Sequence, residues 1–173
     1  MRPPARGPGM LDSLPQGGAE TMQRRSQAGF TLIELLIVVA IIGLIAALAM
    51  PNLMSALQRA KQTKTIADIK SIGSALENYA VDNNVYPKGL TNADAGVVAG
   101  FVSPLYLRKV PPADGWNNPW HIETSANGTL YTITSYGRDG QPGPVNGGPT
   151  GGLDCDIVYT NGSFYQWPQG AQQ

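Results

Sequence analysis

Histidine and cysteine are nearly missing from this chain. One histidine, His121, and one cysteine, Cys155, stand among 173 residues. A single cysteine excludes an intramolecular disulfide, so an exported domain of this size must rest on its core or on a metal in a disulfide's place. A single histidine leaves His-based zinc sites and Ser-His-Asp catalysis little to build on. Cys155 stands between Asp154 and Asp156, whose charges discourage a thiolate and so a nucleophilic role. Charge is scarce too: 12 basic residues balance 12 acidic ones, and charged residues make up 14% of the chain. The basic excess that nucleic-acid binding needs is absent. Neither lysine nor a helix start follows Gly147-Gly148 or Gly151-Gly152, so these glycines do not make a phosphate loop. Trp116, Trp120 and Trp167 read as core and turn packing, and His121 as a packed or surface residue.

Glycine (21) and proline (14) are plentiful, which predicts a loop-rich portion. Against that stands one long apolar stretch. Residues 30–50 read FTLIELLIVVAIIGLIAALAM, with a single charge at Glu34. As a helix the stretch spans roughly 31 Å, close to the hydrocarbon thickness of a bilayer. Arg24 and Arg25 precede it, which predicts a cytoplasmic N-terminus. An ordinary signal peptide has a shorter apolar core and then a small-residue cleavage site. Ala46-Ala47-Leu48-Ala49 loosely mimics such a site, but the helical pattern runs past it. Neither a signal peptide nor a plain anchor accounts for Glu34, because a carboxylate at membrane depth is costly unless paired and marks a functional residue. Residues 1–21 are rich in proline and glycine. A start at Met22 gives a compact basic leader, and Met22 is the expected true start.

The segment Ala28-Gly29-Phe30-Thr31-Leu32-Ile33-Glu34 resembles the processing site of type IV prepilins and type II secretion pseudopilins. The shared features are a basic leader ending in glycine, a phenylalanine next, a carboxylate at the fifth position after the glycine, and an apolar run closed by Pro51. The resemblance implies that residues 1–29 are a leader, cut after Gly29 by a prepilin peptidase that then methylates the new amino group of Phe30. It also implies that residues 30–50 form a transmembrane and filament-core helix, in which Glu34 pairs with the N-terminal amine of a neighbouring subunit. A buried carboxylate and a buried ammonium are each costly alone and tolerable together, so such a pair sets register more than it adds stability.

Pro51 lacks an amide hydrogen, so a kink or local opening of the helix is expected there. Residues 51–82 continue as an amphipathic helix, with Ile66, Ile69, Ile72, Leu76 and Tyr79 on one apolar stripe. Asn83-Asn84 and Pro87 end it. Residues 83–173 then read as a β-rich globular domain. Residues 96–110 hold a short helix or turn, and 116–120 form a tight turn. Two hairpins are expected, 121–124 with 130–134 about Asn127-Gly128, and 157–159 with 164–167 about Asn161-Gly162. The fold class is α+β: a type IV pilin-like fold, with a long N-terminal helix packed on a small antiparallel sheet and a C-terminal loop region.

Four further segments resemble the major pseudopilin of type II secretion systems. They are Val85-Tyr86-Pro87, the turn from Trp116 to Trp120, Ser135-Tyr136-Gly137-Arg138-Asp139-Gly140-Gln141-Pro142-Gly143, and Asp154-Cys155-Asp156-Ile157. The chain departs from that family in places. Asp114-Gly115-Trp116-Asn117-Asn118-Pro119 stands for the usual Asp-Pro-Trp-Gly-Asn-Pro, the loop between Gly143 and Asp154 is rich in glycine and proline, and residues 160–173 add a hairpin. The resemblance implies one structural calcium ion in the C-terminal loop, held by the side chains of Asp139, Asp154 and Asp156 and the backbone carbonyl of Tyr136. Calcium takes six to eight oxygens in flexible geometry, which carboxylates and carbonyls supply. Such an ion closes the 140–153 loop much as a disulfide does. Spacing alone reads Asp139-Gly140 as a turn and the other two aspartates as solvated, since the pattern is not that of an EF-hand.

The implied function is not enzymatic. The chain is expected to polymerise through its N-terminal helix into the type II secretion pseudopilus and to drive protein export across the outer membrane, with energy from a separate cytoplasmic ATPase. It is expected to sit in the bacterial inner membrane as a single-pass protein with its C-terminal domain in the periplasm. Expected partners are copies of itself, minor pseudopilins, the prepilin peptidase and the inner-membrane secretion platform, with no nucleic acid. Two readings stay open beside this one. The chain could build a surface type IV pilus serving adhesion, motility or DNA uptake, or it could be a tethered enzyme or binding module. The lack of a cysteine pair and the pattern Asp139/Asp154/Asp156 favour the secretion filament, and no catalytic constellation supports the third reading.

Overall fold

A computed structural model describes residues 29–170. Residues 1–28, which hold most of the expected leader with Arg24, Arg25 and the expected Met22 start, and residues 171–173 lie outside the described residues. The apolar stretch and the stripe beyond it form one helix, α1, Leu32–Asn83, of 52 residues. It is helical throughout, Pro51 included. Proline removes one amide donor, but the leucine, alanine and methionine residues around it are strong helix formers. Ser55 Oγ donates to the Pro51 carbonyl at 3.1 Å. The chain divides into two compact units between residues 42 and 43, inside α1.

In the second unit, α1 buries Thr65, Ile69, Ile72, Gly73, Ala75 and Leu76. Ile66 and Tyr79, expected on the stripe, are only partly buried at its border. Gly73 packs tightly against the sheet: a Cβ there would meet the Tyr159 ring at 2.5 Å. After α1 comes a short helix, α2, Ala95–Val102, capped by Asp94, whose side chain accepts from the Val97 amide at 3.0 Å. The strands are β1 (His121–Thr124), β2 (Tyr131–Ser135), β3 (Gly148–Thr150), β4 (Ile157–Thr160) and β5 (Ser163–Pro168). They form one sheet in the order β1-β2-β4-β5-β3.

Both expected hairpins form. β1 pairs antiparallel with β2 from His121↔Thr134 to Thr124↔Tyr131. β4 pairs antiparallel with β5, closing at Thr160↔Ser163. Asn161 (φ 44) and Gly162 (φ 83) both occupy the left-handed region, as a two-residue turn that matches strand twist requires. β3 was not expected and pairs parallel with β5, so the sheet is mixed rather than wholly antiparallel. Ile122, Ile133, Ile157 and Phe164 from the sheet join Ile69, Ile72 and Leu76 of α1, with Val98 and Val102 of α2, in one core.

The turn before β1 fastens the sheet side to α1. Asp114, 4% exposed, accepts from the Trp116 and Asn118 amides at 2.9 and 2.8 Å and from Ser135 Oγ at 2.7 Å. Gly115 lies so close to α1 that a Cβ would fall 2.1 Å from the Lys61 carbonyl oxygen. Trp116 Nε1 donates to Gln58 Oε1 at 2.8 Å. Asn117 holds φ at 73°, a conformation asparagine tolerates better than most residues.

Candidate functional site

At its N-terminal end α1 is an apolar surface. Every residue from 29 to 57 is exposed, Phe30 at 84%. The helix is long and apolar enough to cross a membrane, with a mean hydropathy of 3.0 over its most apolar window. Its first turn is closed by a reciprocal pair. Thr31 donates to Glu34 Oε2 from its amide at 3.2 Å and from Oγ1 at 3.1 Å, and the Glu34 amide donates to Thr31 Oγ1 at 3.2 Å. This is a capping box. The sequence reading passed over Thr31, although the spacing Thr31-x-x-Glu34 is that signature.

The second set of candidate residues lies where β2 leaves the sheet and β4 enters it. The Arg138 amide donates to the Leu153 carbonyl at 2.9 Å, which clamps the two segments together. Gly137, with φ at 68°, faces the Leu153 and Cys155 carbonyls so closely that a Cβ would come within 2.8 and 2.9 Å of their oxygens. Asp139 folds onto its own turn, its Oδ1 accepting from the Gln141 amide at 3.2 Å. Tyr136 stacks its ring on His121, centroids 3.9 Å apart. Burial holds His121 below the ordinary histidine range, against the pull of Asp156 and Glu123.

The three aspartates are treated differently. Asp156 is buried, 2% exposed. Its Oδ2 accepts from the Gly143 amide at 3.0 Å, while its buried Oδ1 has no hydrogen-bond partner. Burial raises its pKa above the ordinary carboxylate range, the Gly143 amide opposes that rise, and the charge of Asp139 adds to it. Asp154 is turned elsewhere. Arg138 Nε and Nη2 donate to its two carboxylate oxygens, each at 2.7 Å, in a bidentate fork. Among the described residues no three His, Cys, Asp or Glu side chains converge as a metal-holding group.

These residues fit a calcium ion in one respect. An orphaned, buried carboxylate oxygen beside a second carboxylate is what a cation satisfies. Asp156 meets that condition, with Asp139 near enough for its charge to act on it, whereas Asp154 is held by Arg138. The sequence reading also missed Gln166 on β5. Its Oε1 accepts from the Asn146 and Gly147 amides at 2.9 and 3.2 Å, and its Nε2 donates to the Asp156 carbonyl at 2.9 Å. Strand alternation could have found it, because it shares the buried face of β5 with Phe164 and Pro168, and a buried amide must have partners.

The family described as type II secretion system (T2SS), protein G matches residues 52–150. The prokaryotic N-terminal methylation motif matches residues 24–50. The type II secretion system core protein G of Pseudomonas aeruginosa is 39% identical over 130 residues, 70% of this chain and 91% of that protein. The chain belongs to the type II secretion system protein G family. The proteins of the same name from Aeromonas hydrophila and Escherichia coli are 36% and 34% identical, covering 90% and 86% of their own lengths. The match to the protein G family ends at residue 150. Asp154, Asp156 and the whole of β4 and β5 lie beyond it.

Proposed function

We propose that this protein G family chain is a structural subunit of the type II secretion pseudopilus and polymerises through α1 to drive export across the outer membrane. The observation that carries the reading is the exposed apolar surface from residue 29 to 57, joined to a domain of the protein G family. Burying such a surface in a bilayer and then against neighbouring copies supplies the driving force for both states. Gly29 and Phe30 are the processing pair, cut and methylated by a prepilin peptidase, within the stretch that carries the methylation motif. Residues 30–50 are the spanning and filament-core segment, 51–82 the amphipathic continuation and 83–173 the periplasmic domain. Minor pseudopilins and the inner-membrane platform are the further partners. The proposed role is structural rather than enzymatic, in keeping with the protein G family. No observation favours the surface pilus.

A deletion of the gene, scored in one culture for secreted proteins and surface filaments, tests this reading. The expected result is loss of secreted proteins with surface filaments intact. Loss of filaments with secretion intact overturns it. Glu34→Ala is expected to insert and be processed but to assemble poorly, and normal filaments from that variant remove the proposed pairing with a neighbour's amine.

The C-terminal loop is proposed to hold one calcium ion through Asp139, Asp156, the Tyr136 carbonyl and Asp154. When bound, the ion supplies a positive charge that cross-links the two segments. Asp156 is already fixed by the Gly143 amide, and Asp139 by its own turn. Calorimetric titration of the chelator-treated full chain in detergent is expected to give one saturable calcium site. A flat titration at millimolar calcium refutes the assignment.

A further inference from the structure

Asp154 is the one proposed calcium ligand that already has a cation. Arg138 holds both of its oxygens at 2.7 Å, and each side chain is 47% exposed. The hydrogen bond that the Arg138 amide donates to the Leu153 carbonyl fixes the two backbones independently of the side chains. The guanidinium can therefore leave, and the carboxylate turn, by rotation of side chains alone. Building on the calcium reading above, we propose that Arg138 is an internal competitor for the ion: it occupies Asp154 until calcium displaces it, and so sets the affinity of the loop.

The chemistry favours an exchange over coexistence. A bidentate guanidinium uses the oxygen lone pairs that a divalent ion needs. It also places a fixed positive charge beside the site, which repels a second cation. Both side chains stand about half in solvent, where water and salt screen the attraction and the pair can be broken. At the other end of the site, the partnerless Oδ1 of Asp156 has no competing donor to surrender. Calcium binding is thus expected to begin on the Asp139/Asp156 side and to be completed by the release of Asp154.

The test is calcium titration calorimetry on the full chain in detergent, for the wild type, Arg138→Gln and Arg138→Lys. Gln removes both the fork and the charge. Lys keeps the charge but cannot make the planar two-oxygen fork. Displacement predicts tighter binding in both, about fivefold for Gln, the most that an exposed pair of this kind holds, and less for Lys. Wild-type affinity in both variants overturns the proposal and leaves the calcium reading standing. Tighter binding in Gln with wild-type affinity in Lys also overturns it, because charge at a distance then suffices. No binding in any of the three removes the calcium reading and this proposal together.

Discussion

Gln166→Leu keeps roughly the volume of a buried side chain and deletes its hydrogen bonds. In the native fold the side chain is 2% exposed and ties four places together, the amides of Asn146 and Gly147, the carbonyl of Asp156 and, through a long 3.4 Å bond at the exposed Pro144, that residue's carbonyl. The Asp156 carbonyl belongs to a buried residue, and leaving it unpaired costs about 1–3 kcal/mol. The two amides belong to exposed or half-buried residues, so water replaces part of what they lose, and each contributes about 0.5 kcal/mol. The expected loss is then about 2–4 kcal/mol. For a domain near 100 residues that lowers the melting temperature by roughly 10–20 °C. The assay is thermal unfolding of the full chain in detergent with chelator present, followed by near-ultraviolet circular dichroism, which reads packed aromatics rather than helix content. Amide exchange across residues 144–150 gives the local readout, because β3 is held to the sheet only by β5. A drop below about 3 °C, with exchange in 144–150 unchanged, refutes the reasoning.

Gly73→Ala gains about 1 kcal/mol of helix propensity but drives a methyl into the Tyr159 ring, 2.5 Å from the built Cβ. Overpacking of that kind costs about 1–3 kcal/mol, so a net loss is expected in denaturant melts, and a more stable variant contradicts it. A second expectation concerns alkaline pH. Tyr86 is pushed up to about 12, by burial first and then by its bond to Glu77, and Tyr131 shifts in the same direction for the same causes. Their native forms keep protons that the unfolded chain releases near pH 10, so stability falls as pH rises from about 10 towards 12. Tyr86→Phe should flatten that fall in melts taken at successive pH values, and an unchanged slope refutes it.

Helix and hairpins were legible because each rests on a local rule. Ile69, Ile72 and Leu76 recur at helical spacing, and all three are fully buried. Asn161-Gly162 supplies two left-handed residues in a row, and the hairpin forms around them. β3 was not legible. Gly148-Pro149-Thr150 has neither alternation nor β-prone bulk, and it is a strand only because β5 lies beside it in parallel. The candidate site was legible by residue type and illegible by pairing. Asp139, Asp154 and Asp156 were read as equals, yet one is buried, one is folded on its own turn and one is taken by Arg138. Nothing in a spacing reveals that the neighbour of one ligand residue will reach across a loop to bind another.

Glu34 and Asp154 raise the same physical question at opposite ends of the chain. Each carboxylate has a proposed cationic partner, an amine for one and a calcium ion for the other, and each already has a local donor. For Glu34 the donor is Thr31, through its amide and hydroxyl. A carboxylate capped in this way is less costly in an apolar environment than a bare one, which lets a single subunit hold it before a neighbour arrives. The cap also complicates Glu34→Ala, since that change removes a helix-stabilising contact together with the charge. Glu34→Gln separates the two. Glutamine keeps the acceptor that closes a capping box, but carries no charge for a neighbour's amine. If charge pairing drives assembly, Gln fails as Ala does, while α1 stays equally helical in membranes. If Gln assembles normally and Ala does not, the first turn of α1 is the requirement, and the paired-charge account of this position falls.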